Sequence, residues 1–175
     1  MYIWELPSGL LLKKKSLHGS PITRILAYRQ NHVVTVSRTE VKVWALSGVL
    51  VEEDNSPPLK QYTSLLDILE VAETRGIIAV LSHKNLTLLL GSLGGPRELG
   101  VLRKVDFEFA TAMAISNTSA FVGDGKGNIE VVELLEEEGG ELRFRERGEA
   151  LELVRGKKRR VLSSSKSPVS CLAFV

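Results

Sequence analysis

The chain has 175 residues, 43% hydrophobic and 25% charged, with a formal net charge of +2, which fits a soluble globular chain with a sizeable core. A charge that small makes no case for nucleic acid, no apolar run approaches the roughly 18 residues of a membrane span, and Met1-Tyr2-Ile3-Trp4-Glu5 lacks the basic and apolar regions of a secretory signal. The one cysteine, Cys171, cannot close an internal disulfide or build a thiolate metal cluster, so a reducing, intracellular setting and a single domain over residues 1–175 are expected.

Met1 to Leu6 reads as a strand, Pro7-Ser8-Gly9 as its turn and Leu10-Leu11-Leu12 as an outer strand. A pattern of apolar strand, small-residue turn and second apolar strand then recurs three times. Its clearest copy is Pro21 to Leu26, His32 to Ser37 and Val41 to Gly48; the second is Leu65 to Leu69, Gly76 to Ser82 and Asn85 to Gly91; the third is Thr111 to Ile115, Ser119 to Gly123 and Asn128 to Leu134. The runs are short, rich in Val and Ile, and bounded by Gly, Ser, Pro and Asn, which favours strand over helix. Val41, Val43 and Ala45 alternate with Lys42, Trp44 and Leu46, the period of two that a strand with unlike faces requires.

Between these runs, Glu52 to Pro58 is an acidic, proline-interrupted surface loop. Gly123-Asp124-Gly125-Lys126-Gly127-Asn128 is a hairpin reversal; a strand follows it, so no helix N-terminus is present to hold a phosphate. Residues 135–167 form a charged, partly flexible insertion, acidic at Glu136 to Glu138 and basic at Arg155-Gly156-Lys157-Lys158-Arg159-Arg160. Within it, Glu141 to Val154 reads as an outer hairpin with Leu142, Phe144, Leu151 and Leu153 inward, and Ser163 to Lys166 as a tether. Pro168 to Phe174 reads as the innermost strand of a further blade. A repeat of this period implies an all-β fold, a partial β-propeller of about three complete four-stranded blades plus strands of flanking blades. An incomplete set leaves strand edges exposed, which predicts self-association or a protein partner.

The motifs resemble the WD-repeat family of propellers. Tyr2-Ile3-Trp4-Glu5-Leu6-Pro7-Ser8-Gly9 and Val41-Lys42-Val43-Trp44-Ala45-Leu46-Ser47-Gly48 are similar to the ends of two such repeats, and His18 stands where the family's Gly-His element lies. The resemblance implies structural roles for Trp4, His18, Ser37 (or Thr35) and Trp44 in a buried hydrogen-bonded set. The turn carboxylate of that set is missing, because Arg38 and Thr39 occupy the turn, and Glu5 and Ala45 replace the Asp after Trp. The order of features also resembles the WD-repeat subunit of the nuclear complex that matures large ribosomal subunit precursors. The features are the Tyr2–Gly9 strand, the linker at Leu50 to Tyr62, the turn and strand at Gly125 to Leu134, the charged insertion and Pro168 to Leu172.

No catalytic constellation is visible. His18, His32 and His83 are separated by whole strands, Asp67 and Asp106 have no evident partner, and Cys171 falls in an expected innermost strand as a buried thiol. Neither an enzyme activity nor a cofactor is expected. The basic run Arg155, Lys157, Lys158, Arg159, Arg160 stands out as a candidate rRNA-phosphate contact or nuclear-import segment, against the plainer reading of a loop balanced by Glu136 to Glu138. Lys13-Lys14-Lys15 sits on an outer strand, where lysines discourage edge pairing. The expectation is a non-catalytic scaffold with protein partners, acting by resemblance in pre-60S maturation and rRNA processing in the nucleus. The alternatives are an adaptor in trafficking, degradation or signalling, and a small enzyme built on a propeller channel.

Overall fold

Runs of Val, Ile and Leu between turn residues become strands because a β-branched side chain packs well on a pleated surface and period-two alternation gives each strand an inner face. The computed structural model describes residues 1–5, 7–50, 57–90, 98–134, 146–147, 150–151, 159–164 and 167–173. The chain divides into two compact units, Met1–Ile68 with Gly91–Leu99, and Leu69–Leu90 with Gly100–Val175.

In the first unit, β1 (Tyr2–Trp4) and β2 (Leu11–Lys14) form a two-stranded antiparallel ribbon. The next strands, β3 (Arg24–Tyr28), β4 (His32–Val36), β5 (Glu40–Ala45) and β6 (Lys60–Thr63), form a four-stranded sheet in chain order. Register places Leu26 opposite Val34 and Val34 opposite Val43. Val34, Val36, Val41 and Val43 are buried in the middle of this sheet. The expected continuation of the third strand through Leu46 is instead a one-turn helix, α1 (Leu46–Leu50), with Leu46 N–H still donating to Asn31 O. Val49 of that turn packs with Leu17 and Trp44, and Met1, Ile3 and Ile22 close over the cluster. The stretch read as a linker up to Tyr62 supplies the fourth strand, with Tyr62 opposite Val41.

The second unit carries two further four-stranded sheets, each running in chain order. One is β7 (Ile68–Thr74), β8 (Ile77–Ser82), β9 (Asn85–Leu90) and β10 (Gly100–Asp106). The other is β11 (Ala110–Ile115), β12 (Ser119–Asp124), β13 (Asn128–Glu133) and, beyond the two-stranded hairpin of β14 (Glu146–Arg147) and β15 (Ala150–Leu151), β16 (Arg159–Ser164). All six residues of β8 are buried, so that strand reads as a continuous apolar run, as expected for burial on both faces. Ile77, Ala79, Leu81, Leu86, Leu88, Met113, Ala120 and Val122 belong to one core cluster.

Three expectations are corrected. The strand expected from Leu65 starts at Ile68, because Ser64 Oγ accepts the Leu66 N–H in a turn that leaves Leu65 fully exposed. Ser163 and Ser164, read as tether, pair with Ile129 and Asn128 in β16. Residues 168–173 join no strand ladder; Val169 N–H donates to Asp124 O at 3.1 Å, Thr111 Oγ1 donates to Val169 O at 2.6 Å, and Cys171 is exposed rather than buried. Leu6, most of the acidic loop, Leu142, Phe144, Leu153 and Phe174 lie outside the described residues.

The Val169 anchor explains one glycine. A Cβ on Gly123 would lie 2.6 Å from the Val169 Cβ, closer than real contacts allow. Gly123→Ala should therefore lower stability by about 1–3 kcal/mol, as overpacking does, and adding Val169→Gly, which removes the opposing Cβ, should recover part of it. Urea midpoints of the three proteins check this; an unchanged Gly123→Ala midpoint would contradict the packing.

Candidate functional site

The polar residues that the first sheet gathers form one hydrogen-bonded relay. Strand β4 presents Thr35 on the side of Trp44 in β5, and the Trp44 indole N–H donates to Thr35 Oγ1 at 2.8 Å. His18, in the segment leading into β3, places Nε2 2.7 Å from the same hydroxyl and Nδ1 3.1 Å from Glu40 Oε2. Since a carboxylate only accepts, the network assigns the imidazole proton to Nδ1. Thr35 then accepts from Trp44 and donates to His18 Nε2, so the indole N–H, the hydroxyl and both ring nitrogens are satisfied. Lys42 Nζ completes the set 3.1 Å from Glu40 Oε2.

Two residues differ from the sequence reading. Thr35 provides the hydroxyl, whereas Ser37 Oγ is buried with no hydrogen-bond partner. Ser37 lies two residues further along the strand, roughly 6.6 Å of rise from Thr35 and so past the indole. The missing carboxylate is present: Glu40, the first residue of β5, does from the strand what a turn carboxylate was expected to do. No motif flagged it, because its longer side chain reaches His18 from outside the turn positions.

Burial holds the His18 imidazole below its usual range, with the Lys42 charge acting the same way and the Glu40 and Thr35 bonds offsetting only part. Its side chain is 0% exposed. Burial pushes the Glu40 carboxyl up, but bonds from Lys42 and His18 outweigh that and leave it below the usual carboxylate range. A second polar feature is the Asp124 turn, where Oδ1 accepts the Lys126 and Asn128 N–H groups at 2.8 Å and Gly127 takes φ 87°. Lys126 Nζ pairs with Glu108 nearby.

The remaining sequence candidates are scattered. Trp4 is in β1, and Arg159 and Arg160 lie in β16 opposite Val132 and Val131, while Arg155, Lys157 and Lys158 fall outside the described residues. Asp67 does have a partner: Arg38 Nε donates to it at 2.8 Å across the exposed turn. His32 sits at the start of β4 with Nδ1 unpartnered, and His83 Nδ1 lies 3.2 Å from Ala110 O. Among the described residues no three His, Cys, Asp or Glu side chains converge as a metal site.

Sequence reasoning expected exposed strand edges but did not say which residues form the one along β1. Met1 exchanges both main-chain bonds with Lys15, and Glu5 N–H donates to Leu10 O. Residues 1, 3 and 5 therefore face β2, and by strand alternation the main chains of Tyr2 and Trp4 face the other way, where no strand lies among the described residues. Beside the start of β1 is a cavity of about 480 Å³, its apolar wall made by Met1, Leu17, Pro21, Ile22 and Ile25.

No protein-family model matches the chain, and no curated protein matches it. Solved structures do. The computationally designed Ika4 protein superposes with a TM-score of 0.64 at 20% identity over 95% of this chain and 88% of that one. Hsv2 from Kluyveromyces lactis gives 0.59 at 12% identity over 97% of this chain and 45% of its own. The β-propeller domain of Cps50 (Swd1) from Myceliophteria thermophila gives 0.55 at 14% identity over 76% and 44%. The chain thus spans most of the designed protein and less than half of the other two. Together with the sheets, these likenesses establish the fold as all-β, a partial β-propeller.

Two outcomes follow for the relay. Thr35→Val strands a buried indole N–H and a ring nitrogen, and should cost about 2–4 kcal/mol in urea unfolding; Ser37→Ala should stay within about 0.5 kcal/mol. A folded imidazole that binds its proton less well than the unfolded one favours the unfolded chain on acidification. The His18 contribution is therefore present above its unperturbed value of 6.5 and is lost as pH falls below it. The melting temperature should drop between about pH 7.5 and 5.5, and His18→Gln should flatten that drop; a parallel profile in the variant would contradict it.

Proposed function

We propose that the chain is a non-catalytic scaffold subunit that assembles with other proteins, working in the nucleus in pre-60S ribosome maturation and rRNA processing. The observation that carries the scaffold reading is that β1 and β2 pair as a ribbon of two strands where each of the larger sheets has four, so that among the described residues main-chain pairing capacity is left for another polypeptide. The buried polar groups of the relay satisfy one another, so their chemistry is spent on holding the sheet together. The ribosomal assignment rests on the sequence order from the Tyr2–Gly9 strand, through the charged insertion, to Pro168–Leu172. The basic run Arg155 to Arg160 is then the rRNA-phosphate contact, a role suited to cations without base-stacking aromatics nearby.

Affinity purification from the native organism, at low and at high salt, tests this. Assembly factors and precursor rRNA should be recovered together at low salt, with RNA lost first as salt rises. Lys157→Glu with Lys158→Glu should weaken RNA retention while leaving the protein set intact. An unrelated protein set without RNA would retire the ribosomal reading.

A further inference from the structure

Residues 16–23 cross from β2 to β3 as a strap that belongs to no strand, with Ser16, Gly19, Ser20, Pro21 and Thr23 exposed along it. Leu17 and Ile22 pack it into the cluster with Trp44 and Val49, and Lys42 Nζ reaches Leu17 O at 3.5 Å. At its far end the Thr23 N–H donates to Val36 O. Between these points the His18 ring plugs the strap into the sheet. Its side chain is wholly out of water and bonds Thr35 of β4 and Glu40 of β5.

That socket has room for one ring proton. His18 Nδ1 and Lys42 Nζ each lie 3.1 Å from the same Glu40 oxygen, Oε2. While the ring is neutral, the carboxylate carries one cation. An imidazolium would make two positive charges share it, one of them on a ring cut off from water. At the other end, a proton on Nε2 would turn the Thr35 hydroxyl hydrogen away from its acceptor, and Thr35 is 0% exposed. Glu40 and Lys42, both from β5, are the charged groups that act on the ring, and β4 faces it with the neutral Thr35. Lys15 and Arg24 stand just beyond the two ends of the strap, and the Met1 ammonium is held on Lys15 O. In water neither cost applies, so acid favours the ring outside its socket.

We propose that His18 is an acid-released latch for this strap. With a neutral ring, residues 16–23 stay fastened against Trp44. When the ring takes a second proton from solvent, it leaves its socket and the strap lifts. Lifting uncovers Leu17, Trp44 and Val49, three buried apolar side chains. The ladders that join β3, β4, β5 and β6 do not pass through the strap, so the sheet stays paired. The latch is a local opening, distinct from the global loss of stability in acid, and it operates whatever partner the scaffold carries.

Hydrogen exchange by NMR on the full chain, from pH 7.5 to 5.5 and corrected for the intrinsic effect of pH, tests this. The protection factor of the Trp44 indole N–H should fall about tenfold per pH unit below 6.5. It should also stay about tenfold or more below that of the Val34 N–H throughout, because the strap opens without the sheet. His18→Gln keeps an uncharged hydrogen-bonding group and should make the indole response flat. Lys42→Met leaves Glu40 free to hold an imidazolium in the socket, so the acid response should shrink severalfold. A lysine that merely braced the strap would instead lower protection equally at every pH and leave the slope unchanged, which overturns the latch. A single protection factor shared by the indole and Val34 also overturns it, since opening would then be global. So does an undiminished acid response in His18→Gln, which would assign the response to another group.

Discussion

A buried main-chain N–H or C=O must find a partner, and this requirement organises every sheet in the chain. Strands β4, β8 and β12 lie second in their sheets, are flanked on both edges and hold most of the buried valine, isoleucine and alanine. Edges are dealt with individually. On the innermost strand β11, the Met113 N–H donates to the Glu70 carboxylate at 2.7 Å, so a side chain stands in for a missing strand. Ahead of β3, the Thr23 N–H donates to Val36 O. Along β1, the main chains of Tyr2 and Trp4 have no such substitute among the described residues.

The relay and the cavity wall are physically linked. His18 is held by Thr35 and Glu40, and it fixes the segment from Ser16 to Thr23 that carries Leu17, Pro21 and Ile22 into the cavity wall. Trp44 joins the same segment from below through Leu17. A neutral imidazole suits this role, because a second ring proton, on Nε2, would displace the Thr35 hydroxyl proton from its acceptor. The same few hydrogen bonds therefore stabilise the first sheet and shape the wall of the cavity.

Second and third strands were legible in the sequence because burial on both faces demands apolar runs, as in Ile77 to Leu81 and Leu86 to Leu90. Fourth strands were not, because an outer strand needs only backbone pairing; β6 reads Lys-Gln-Tyr-Thr, and β10 is half exposed along most of its length. The end of the basic run hid β16 for the same reason, its charge suggesting a loop although Arg159 and Arg160 are paired. Trp44 and His18 stood out through the repeat pattern. Thr35 was left level with Ser37, and Glu40 was passed over, because distances across a pleat and the reach of one extra methylene are not written in spacing. The open edge was expected in kind from the incomplete first blade, but only the hydrogen-bond parity of β1 says which residues form it.

Residue-resolved amide hydrogen exchange by NMR tests the central claim most directly, because it reads main-chain pairing position by position. The pairing pattern predicts slow exchange at Ile3 and along β4 and β8, a protected Trp44 indole N–H, and fast exchange at Tyr2 and Trp4. Protection at Tyr2 and Trp4 equal to that at Ile3 in the isolated chain would contradict it, because the edge would already be filled.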